Sequence, residues 1–395
     1  MKNIRIRHVI SIMLLSALIF QGSHTKTVYA KDHLAVPDLI KGVWITVFSD
    51  KKVLYSKNAA LDLIKFCRKN NIDEVYLQIY RAGKAYYDSA ITDRTEYKKM
   101  LEAVGSDPVE FIINEAKKGG VAIHAWINIL SIAQNDKAEI IKTHGKGLLT
   151  KDQHLKTPIK SAKRDVIDRY YIKEGQLFLE PGDPRVREYV LSVVDEVATR
   201  YPDLSGIHLD YIRYPNAVPY IPDSRFNSHG LSYGYGEKNV AAFKKAKGRD
   251  PLKIDGDRFN ALLWDNWKRD RVTSLVKDIS ARVKKKNPKL LLSCAVIPSP
   301  ERAYSVAFQD WPMWLELGIV DHVVTMNYTI DNRLAVEWAK SALAHKARGK
   351  VYIGIGVFLM KDRKEIFSEQ YKVTTDLNPD GIVFFSYDDI TGDIL

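Results

Sequence analysis

Gly206-Ile-His-Leu-Asp-Tyr-Ile-Arg-Tyr-Pro215 combines a short apolar strand with an acidic residue at its end. Side chains alternate along a strand, so Ile207 and Leu209 face one way while His208 and Asp210 face the other. Parallel α/β proteins place their chemistry at the carboxyl ends of strands. Asp210 is therefore a candidate catalytic residue, although an Asp that only begins a turn gives the same pattern.

The rest of the chain alternates apolar strand-like runs with amphipathic helical stretches. Strands are predicted at residues 41–48, 73–80, 121–128, 205–210, 290–297, 320–326, 351–357 and 381–386. Helices are predicted at residues 58–70, 108–118, 183–201, 259–286, 312–317, 334–346 and 366–377. This order predicts an α/β fold, a (β/α)8 TIM barrel in one domain over residues 31–395, with long loops after the third and fourth strands. An open doubly wound sheet is the alternative, but it usually has a Gly-rich turn after its first strand, where this chain has Ser49-Asp-Lys-Lys52.

The first thirty residues are typical of a signal peptide. Lys2, Arg5 and Arg7 precede an apolar run at residues 9–20, and Val28-Tyr-Ala30 offers small residues where a signal peptidase cleaves. We expect cleavage near Ala30 and a mature protein that is secreted or held in the cell envelope. An uncleaved membrane anchor is the alternative. No later segment reads as a transmembrane helix.

The chain has a net charge of +12. For an exported protein, this charge suggests anionic cell-envelope polymers as partners, although ordinary solvated helix faces would give the same excess. The basic residues are scattered and no nucleic-acid motif accompanies them, so no nucleic-acid partner is expected. Cys67 and Cys294 lie in apolar patterns and are predicted as core residues, with their pairing left open. Without HExxH, CxxC, GxSxG or P-loop motifs, the sequence predicts no metal and no cofactor. His124 and His208 are predicted to be buried and hydrogen-bonded.

In a barrel, the carboxyl ends of these strands bring aromatic, amide and acidic side chains to one face. Aromatic rings stack on apolar sugar faces and amides bind sugar hydroxyls, so the expected ligand is a polysaccharide or oligosaccharide. The candidate substrate-binding residues are Gln78, Arg81, Trp126, Asn128, Arg213, Tyr214, Asp310 and Tyr328.

Hydrolysis of a glycosidic bond commonly uses two carboxyl groups. Asp210 is the first candidate, and Glu180 is the predicted partner. Glu180 is expected on the same rim, within about 10 Å of Asp210 and with a raised pKa. Asp310 is the reserve, although it also reads as a helix cap, and Glu301 and Asp388 are further candidates.

Several motifs in this order resemble one known family. They are Lys41-Gly-Val-Trp-Ile-Thr46, Val75-Tyr-Leu-Gln-Ile-Tyr-Arg81, Ala85-Tyr-Tyr-Asp-Ser-Ala90, Leu179-Glu-Pro-Gly-Asp-Pro-Arg-Val-Arg-Glu188, the 206–215 stretch, Gln309-Asp-Trp-Pro-Met-Trp-Leu-Glu-Leu-Gly-Ile-Val-Asp321 and Met326-Asn-Tyr328. The chain resembles the glycosyl hydrolase-like family ten over nearly all of its mature length. The resemblance implies a (β/α)8 barrel and an exported enzyme acting on bacterial envelope glycans, one class of which cuts peptidoglycan strands stripped of stem peptides.

Asp210 matches the acid at the fourth strand of that family. The chain departs from the family at Glu180, where Asn or Asp is common, and at Tyr211, where a second acid is common. We therefore expect an exported glycoside hydrolase. A non-catalytic glycan-binding protein on the same barrel is the alternative, and a second carboxyl group facing Asp210 distinguishes the two. A basic binder of envelope polymers without sugar specificity is a third possibility.

Overall fold

The computed structural model describes residues 39–216, 230–253 and 257–390, and the predicted signal peptide lies outside them. Eight parallel strands form a closed barrel in the order β1, β2, β4, β5, β6, β7, β8 and β9, with β9 pairing back to β1. The strands are β1 Ile40–Ile45, β2 Glu74–Arg81, β4 Ala122–Asn128, β5 Gly206–Asp210, β6 Leu291–Val296, β7 His322–Asn327, β8 Lys350–Gly356 and β9 Gly381–Phe385. A two-residue strand, β3 Lys84–Ala85, pairs antiparallel with β2. The predicted TIM barrel is confirmed.

Helices follow the strands around the outside of the barrel. They are α1 Lys57–Lys69, α2 Thr95–Val104, α3 Pro108–Gly119, α4 Glu139–His144, α5 Val166–Tyr171, α6 Pro184–Arg200, α7 Glu237–Lys247, α8 Arg258–Lys286, α9 Pro300–Val306, α10 Trp311–Glu316, α11 Asn332–Leu343 and α12 Lys364–Thr375. The long segment after β4 contains α4 and α5, and the long segment after β5 contains α7. Within the described ranges, no helix is long and apolar enough to cross a membrane.

The alternation expected along β5 is confirmed, and it separates two apolar layers. Ile207 and Leu209 pack in the large cluster between the strands and the helices. His208 points into the barrel, where Trp44 Nε1 donates a hydrogen bond to its Nε2 (3.2 Å). The barrel interior has its own cluster of large side chains, namely Trp44, Tyr76, Trp126, Val324, Tyr352 and Val383. Asp210 shares the inward face of β5 and therefore emerges at the top of this interior.

Three histidines lie in the lower half of the barrel. His208 is buried and hydrogen-bonded as predicted, with Nδ1 2.8 Å from Ser293 Oγ. His322 lies 3.0 Å from the Tyr76 hydroxyl. His124 is fully buried, but neither of its ring nitrogens has a hydrogen-bond partner among the described residues, contrary to prediction. Burial lowers the pKa of His124 to about 4, so its ring is neutral at pH 7.

The two cysteines behave as small core residues. Cys67 on α1 and Cys294 on β6 are both fully buried and both free thiols. The predicted core positions are confirmed, and Cys67 and Cys294 form no disulfide with each other.

Candidate functional site

Asp210 ends β5 with its carboxylate held by two N–H donors. Trp126 Nε1, on the neighbouring strand β4, donates to Oδ2 (3.2 Å), and the backbone N–H of Tyr211 donates to Oδ1 (2.7 Å). Tyr211 has φ 52°, a left-handed conformation that is rare for a bulky aromatic residue. This turn gives Asp210 the Tyr211 N–H as a donor, and the carboxylate is fixed from both strands.

Burial raises the pKa of Asp210 to about 6. The Tyr211 N–H, the Arg213 charge and the Trp126 N–H oppose that rise, while the negative charge of Glu174 adds to it. A carboxyl group with this pKa exists in both protonation states near neutral pH. Asp210 can therefore exchange a proton with a ligand under mild conditions.

The Asp210 carboxylate lies in a cavity of about 270 Å³, called here the first cavity. Its lining residues are Trp44, Thr46, Phe48, Gln78, Arg81, Trp126, Asn128, Asp210, Tyr211, Arg213, Ala295, Met326, Tyr328 and Phe385. Seven residues predicted from the sequence meet here: Gln78, Arg81, Trp126, Asn128, Asp210, Arg213 and Tyr328. Among the residues described, Asp210 carries the only carboxylate in this lining.

Aromatic and amide groups both contribute to this wall. Tyr328 stacks on Phe385 with ring centroids 5.4 Å apart and planes 30° apart. Gln78 Nε2 donates to Asn128 Oδ1 (3.1 Å), and Gln78 Oε1 accepts from the backbone N–H of Val47 (3.2 Å). The two amides are held in fixed orientations. Their remaining N–H groups can serve a polar ligand.

Glu180, the predicted catalytic partner of Asp210, is not among the residues that line the first cavity. Its side chain is only 1% exposed and accepts hydrogen bonds from the Tyr214 hydroxyl (2.6 Å), the Gly182 N–H (3.2 Å) and the Gly236 N–H (3.3 Å). It ties the loop before α6 to the segment before α7. Tyr214, another predicted sugar-binding residue, is buried in this cluster and is likewise outside the cavity.

The pKa of Glu180 is raised to about 7, in the direction predicted. Burial is the largest cause, and the hydrogen bonds that Glu180 accepts oppose the rise. A raised pKa is therefore also found in a buried acid with a structural role, and by itself it does not identify a proton donor.

The other candidate acids also lie outside the first cavity. Asp310 occupies the N-cap position of α10, where burial raises its pKa and the charge of Arg269 opposes the rise. Glu301 lies in the first turn of α9. Asp388 accepts a hydrogen bond from the Ser49 hydroxyl (2.6 Å) beyond the end of β9.

Glu174, whose carboxylate acts on Asp210, was not among the residues predicted from the sequence. Glu174 Oε1 accepts from Arg213 Nη1 (2.7 Å) and from the Asn216 N–H (2.7 Å), and its charge raises the pKa of Asp210. The guanidinium of Arg213 also lies over the Tyr211 ring, 4.9 Å from its centroid. The available signal was Arg213 itself, since a buried arginine needs a carboxylate partner.

Phe48 and Arg81 separate the first cavity from a second one of about 670 Å³. The Arg81 guanidinium lies 4.8 Å from the centroid of the Phe48 ring, and that ring is 60% exposed. A third cavity, of about 950 Å³, lies against the segment after β4, and none of the predicted site residues line it. Within the described residues, no group of three or more His, Cys, Asp or Glu side chains is placed to hold a metal ion.

Comparison with curated proteins gives two relatives of similar identity. The protein described as glycosyl hydrolase DigH of Escherichia coli strain K12 is 24% identical over 333 residues, covering 78% of this chain and 68% of DigH. Glycosyl hydrolase YngK of Bacillus subtilis strain 168 is 24% identical over 316 residues, covering 73% of this chain and 54% of YngK. The chain thus spans about half the length of YngK and two thirds of DigH.

Comparison with solved structures gives sugar-cleaving barrels. The β-galactosidase of the psychrophilic Marinomonas ef1 matches with a TM-score of 0.56 at 10% identity, over 88% of this chain and 54% of that one. The β-galactosidase of Bacillus circulans sp. alkalophilus matches with a TM-score of 0.55 at 12% identity, over 89% and 50%. This chain spans about half the length of each, and at these identities the likeness shows the fold alone.

The family scan matches residues 39–365, which run from β1 to the start of α12 and include all ten predicted site residues. The resemblance drawn from the sequence motifs is confirmed, and a glycosidase-type function is supported. The chain belongs to the Glycosyl hydrolase-like 10 family.

Proposed function

We propose that this protein is an exported glycoside hydrolase that cleaves a bacterial envelope glycan, with Asp210 as its catalytic carboxyl group. The observation that carries the proposal is the Asp210 side chain, buried at the carboxyl end of β5 and lining a cavity of aromatic and amide groups. Peptide-free peptidoglycan strands are the proposed substrate class. Family membership and the signal-like first thirty residues support this choice.

In the proposed reaction, Asp210 donates a proton to the glycosidic oxygen as the bond breaks. Its pKa of about 6 suits that task, because a neutral acid is available at mildly acidic pH. The N–H groups of Trp126 and Tyr211 then stabilise the carboxylate that forms. Glu174 acts through Arg213 and Asp210 as a positioning residue, since it does not line the first cavity.

The second chemical role can come from the substrate. In substrate-assisted glycoside hydrolysis, a group on the sugar attacks the anomeric carbon as the bond to the leaving oxygen breaks and that oxygen takes the proton of Asp210. Water then opens the cyclic intermediate at the anomeric carbon and returns a proton to the Asp210 carboxylate. This route fits a first cavity in which, over the described ranges, Asp210 is the sole carboxylate. Gln78, Asn128 and Tyr328 are proposed to hold the sugar in place for that attack.

The same observation favours one alternative, a protein that binds glycans without cleaving them. The test is to incubate residues 31–395 with peptide-free peptidoglycan strands and to measure product masses. Hydrolysis by the parent, together with its loss in Asp210→Asn, supports the enzyme. A parent protein that binds the strands and leaves their masses unchanged would overturn it in favour of the binding protein. Asp310→Asn is the matched control, since Asp310 lies outside the first cavity.

Export has its own test, because the first 38 residues lie outside the described ranges. N-terminal sequencing of protein collected from the medium or the envelope should give a chain that begins near Lys31. A retained Met1 on exported protein would indicate an uncleaved anchor instead.

A further inference from the structure

The third cavity is separate from the site of Asp210, because it shares no lining residue with the first or the second cavity. Its lining comes from residues 134–164, which follow β4, together with Leu177 and Glu237. Its volume of about 950 Å³ is near the upper end of the range for ligand pockets. The cavity can therefore hold more than a single small ion.

Cations outnumber carboxylates in the lining of the third cavity. The charged lining residues are Lys146, Lys151, Lys156, Lys163, Arg164, Asp136 and Glu237. Asp136 pairs with Lys146 at 2.9 Å. Glu237 pairs with Lys151 at 2.9 Å. Lys156 and Lys163 are exposed, and neither forms an ion pair with any residue in the ranges that the structure describes, so two positive charges remain free.

The two free lysines belong to one loop, which a buried acid holds in shape. Asp152 is 0% exposed, and its Oδ1 accepts from the backbone N–H groups of His154 (2.9 Å) and Lys156 (3.0 Å). Its Oδ2 accepts from Arg164 Nη2, which closes the loop at the far end. The sequence between Asp152 and Arg164 contains no acidic residue. Positive charge is therefore presented from a backbone that side-chain contacts fix.

Arg164 lines the third cavity, is only 4% exposed, and has one end of its guanidinium group without an acceptor. Besides Asp152, its Nη2 donates to the carbonyl of Thr157 (2.7 Å). Its Nη1 makes no hydrogen bond to a described residue, although Asp168 Oδ2 lies 3.5 Å away. Buried N–H donors normally have an acceptor, so this Nη1 points to a ligand that supplies an oxygen.

The rest of the lining indicates which kind of anion fits. Leu149 and Leu177 are buried in the wall and supply apolar surface, and Thr157 and Ser161 supply hydroxyl groups. A carboxylate has two oxygens, whereas a phosphate group can accept from more donors at once, and lysine is a common phosphate ligand. The carbon skeleton that joins phosphate groups in a polyol or sugar phosphate can lie on the apolar surface.

We propose that the third cavity binds the phosphate groups of an anionic polymer built from polyol or sugar phosphates. Lys156 and Lys163 pair with the phosphate charges, and Arg164 Nη1 donates to a phosphate oxygen. The net charge of +12 on the whole chain favours the same partner. Because the cavities share no lining residue, the polymer holds the protein while the first cavity stays open. The inference does not depend on hydrolysis at Asp210.

The test measures binding of residues 31–395 to a short synthetic chain of glycerol phosphate units that carries a fluorophore, by fluorescence polarisation. Lys156→Gln/Lys163→Gln should raise the Kd about tenfold at low salt, and added salt should weaken the parent more than this variant. Lys156→Arg/Lys163→Arg keeps both charges and should bind as the parent does. Lys98→Gln/Lys364→Gln is the matched control, because it removes two exposed lysines on α2 and α12 and should leave the Kd unchanged.

Three further probes distinguish the partner. Inorganic phosphate that displaces the labelled chain at an equal concentration of phosphate groups overturns the assignment to a polymer. Polyglutamate that binds as tightly as the phosphate chain overturns the preference for phosphate. Binding to phosphatidylglycerol vesicles, without binding to the glycerol phosphate chain, overturns the proposal in favour of a membrane surface.

The double glutamine variant decides whether the third cavity is the site. Weaker binding, with an unchanged thermal unfolding transition and an unchanged rate on any glycan that the parent cleaves, supports the proposal. Binding with the parent Kd by this variant, folded by the same criterion, overturns it. Both results are read from binding alone, so they stand whether or not the parent hydrolyses a glycan.

Discussion

Glu174 carries a negative charge that faces Arg213, and this charge raises the pKa of Asp210. Replacing Glu174 with Gln removes it. The Arg213 guanidinium is 6% exposed and would be left buried without its ion-pair partner. Breaking a buried ion pair from one side usually costs about 3–5 kcal/mol. Arg213 keeps its hydrogen bond to the Tyr214 carbonyl (3.0 Å) and its place over the Tyr211 ring, so we expect a loss of about 3 kcal/mol in the free energy of unfolding.

The same change lowers the pKa of Asp210. One anion that raises the pKa is gone, and the positive charge of Arg213 is no longer compensated. Burial, the largest cause of the raised value, is unchanged, so the pKa should fall from about 6 without reaching its ordinary value of 3.8. We expect a decrease of about one unit, equivalent to 1.36 kcal/mol.

The two effects have separate assays. Urea unfolding at pH 7 measures the stability loss, and the pH dependence of kcat/KM reports the pKa of the free enzyme. A proton donor must be protonated, so activity falls as pH rises through the pKa of Asp210. In Glu174→Gln this fall should occur about one pH unit lower than in the parent.

Glu237→Gln is the matched control, because Glu237 pairs with Lys151 at 2.9 Å with its own side chain 69% exposed. It should cost at most about 1 kcal/mol and leave the pH profile unchanged. If Glu174→Gln loses stability as expected but its activity falls at the same or a higher pH, the reasoning that Glu174 acts on Asp210 is refuted.

Three further variants test neighbouring claims. Asp210→Asn should lower kcat by orders of magnitude without unfolding the protein, and activity within about tenfold of the parent (1.4 kcal/mol) would remove Asp210 from the mechanism. Glu180→Gln should keep activity within about tenfold. The Glu180 pKa of about 7 exceeds its unfolded value of 4.5, so the parent loses stability as pH rises between these values. In urea unfolding, the difference in stability between the parent and the variant should therefore shrink by about 3 kcal/mol from pH 4.5 to 7. His124→Leu should make the protein less sensitive to acid, because the parent loses up to about 3 kcal/mol of stability as pH falls from 6.5 to about 4. An equal loss of stability in both proteins, measured by urea unfolding, would contradict this.

The barrel could be predicted because its strands are buried on both faces. Every residue of β2 except Arg81 is buried, and five of its eight residues are apolar or aromatic (Val75, Tyr76, Leu77, Ile79 and Tyr80), so the strand is easily placed. Helices α2, α4, α5, α7 and α9 were not predicted. Three of them, α2, α4 and α7, begin without a side-chain cap, at Arg94, Ala138 and Gly236, and therefore lack the usual starting signal.

The sequence predicts those site residues whose location follows from their position along a strand. Trp126, Asn128 and Asp210 end neighbouring strands, and parallel register brings them together. The burial of Glu180 outside the first cavity was not predicted, because it depends on Gly236, 56 residues later, and no local pattern shows that contact. Glu174 was missed for the same reason, since its partner Arg213 is 39 residues away.

The left-handed backbone of Tyr211 bears on how this protein can be engineered. Glycine adopts that conformation without strain, whereas an aromatic residue held there costs of order 1–3 kcal/mol. Tyr211 also forms part of the cavity wall and supports Arg213. Selection of a random library for heat resistance alone would therefore reward Gly or Asn at position 211, while selection for turnover would restore Tyr. Stability and activity are in conflict at this single position.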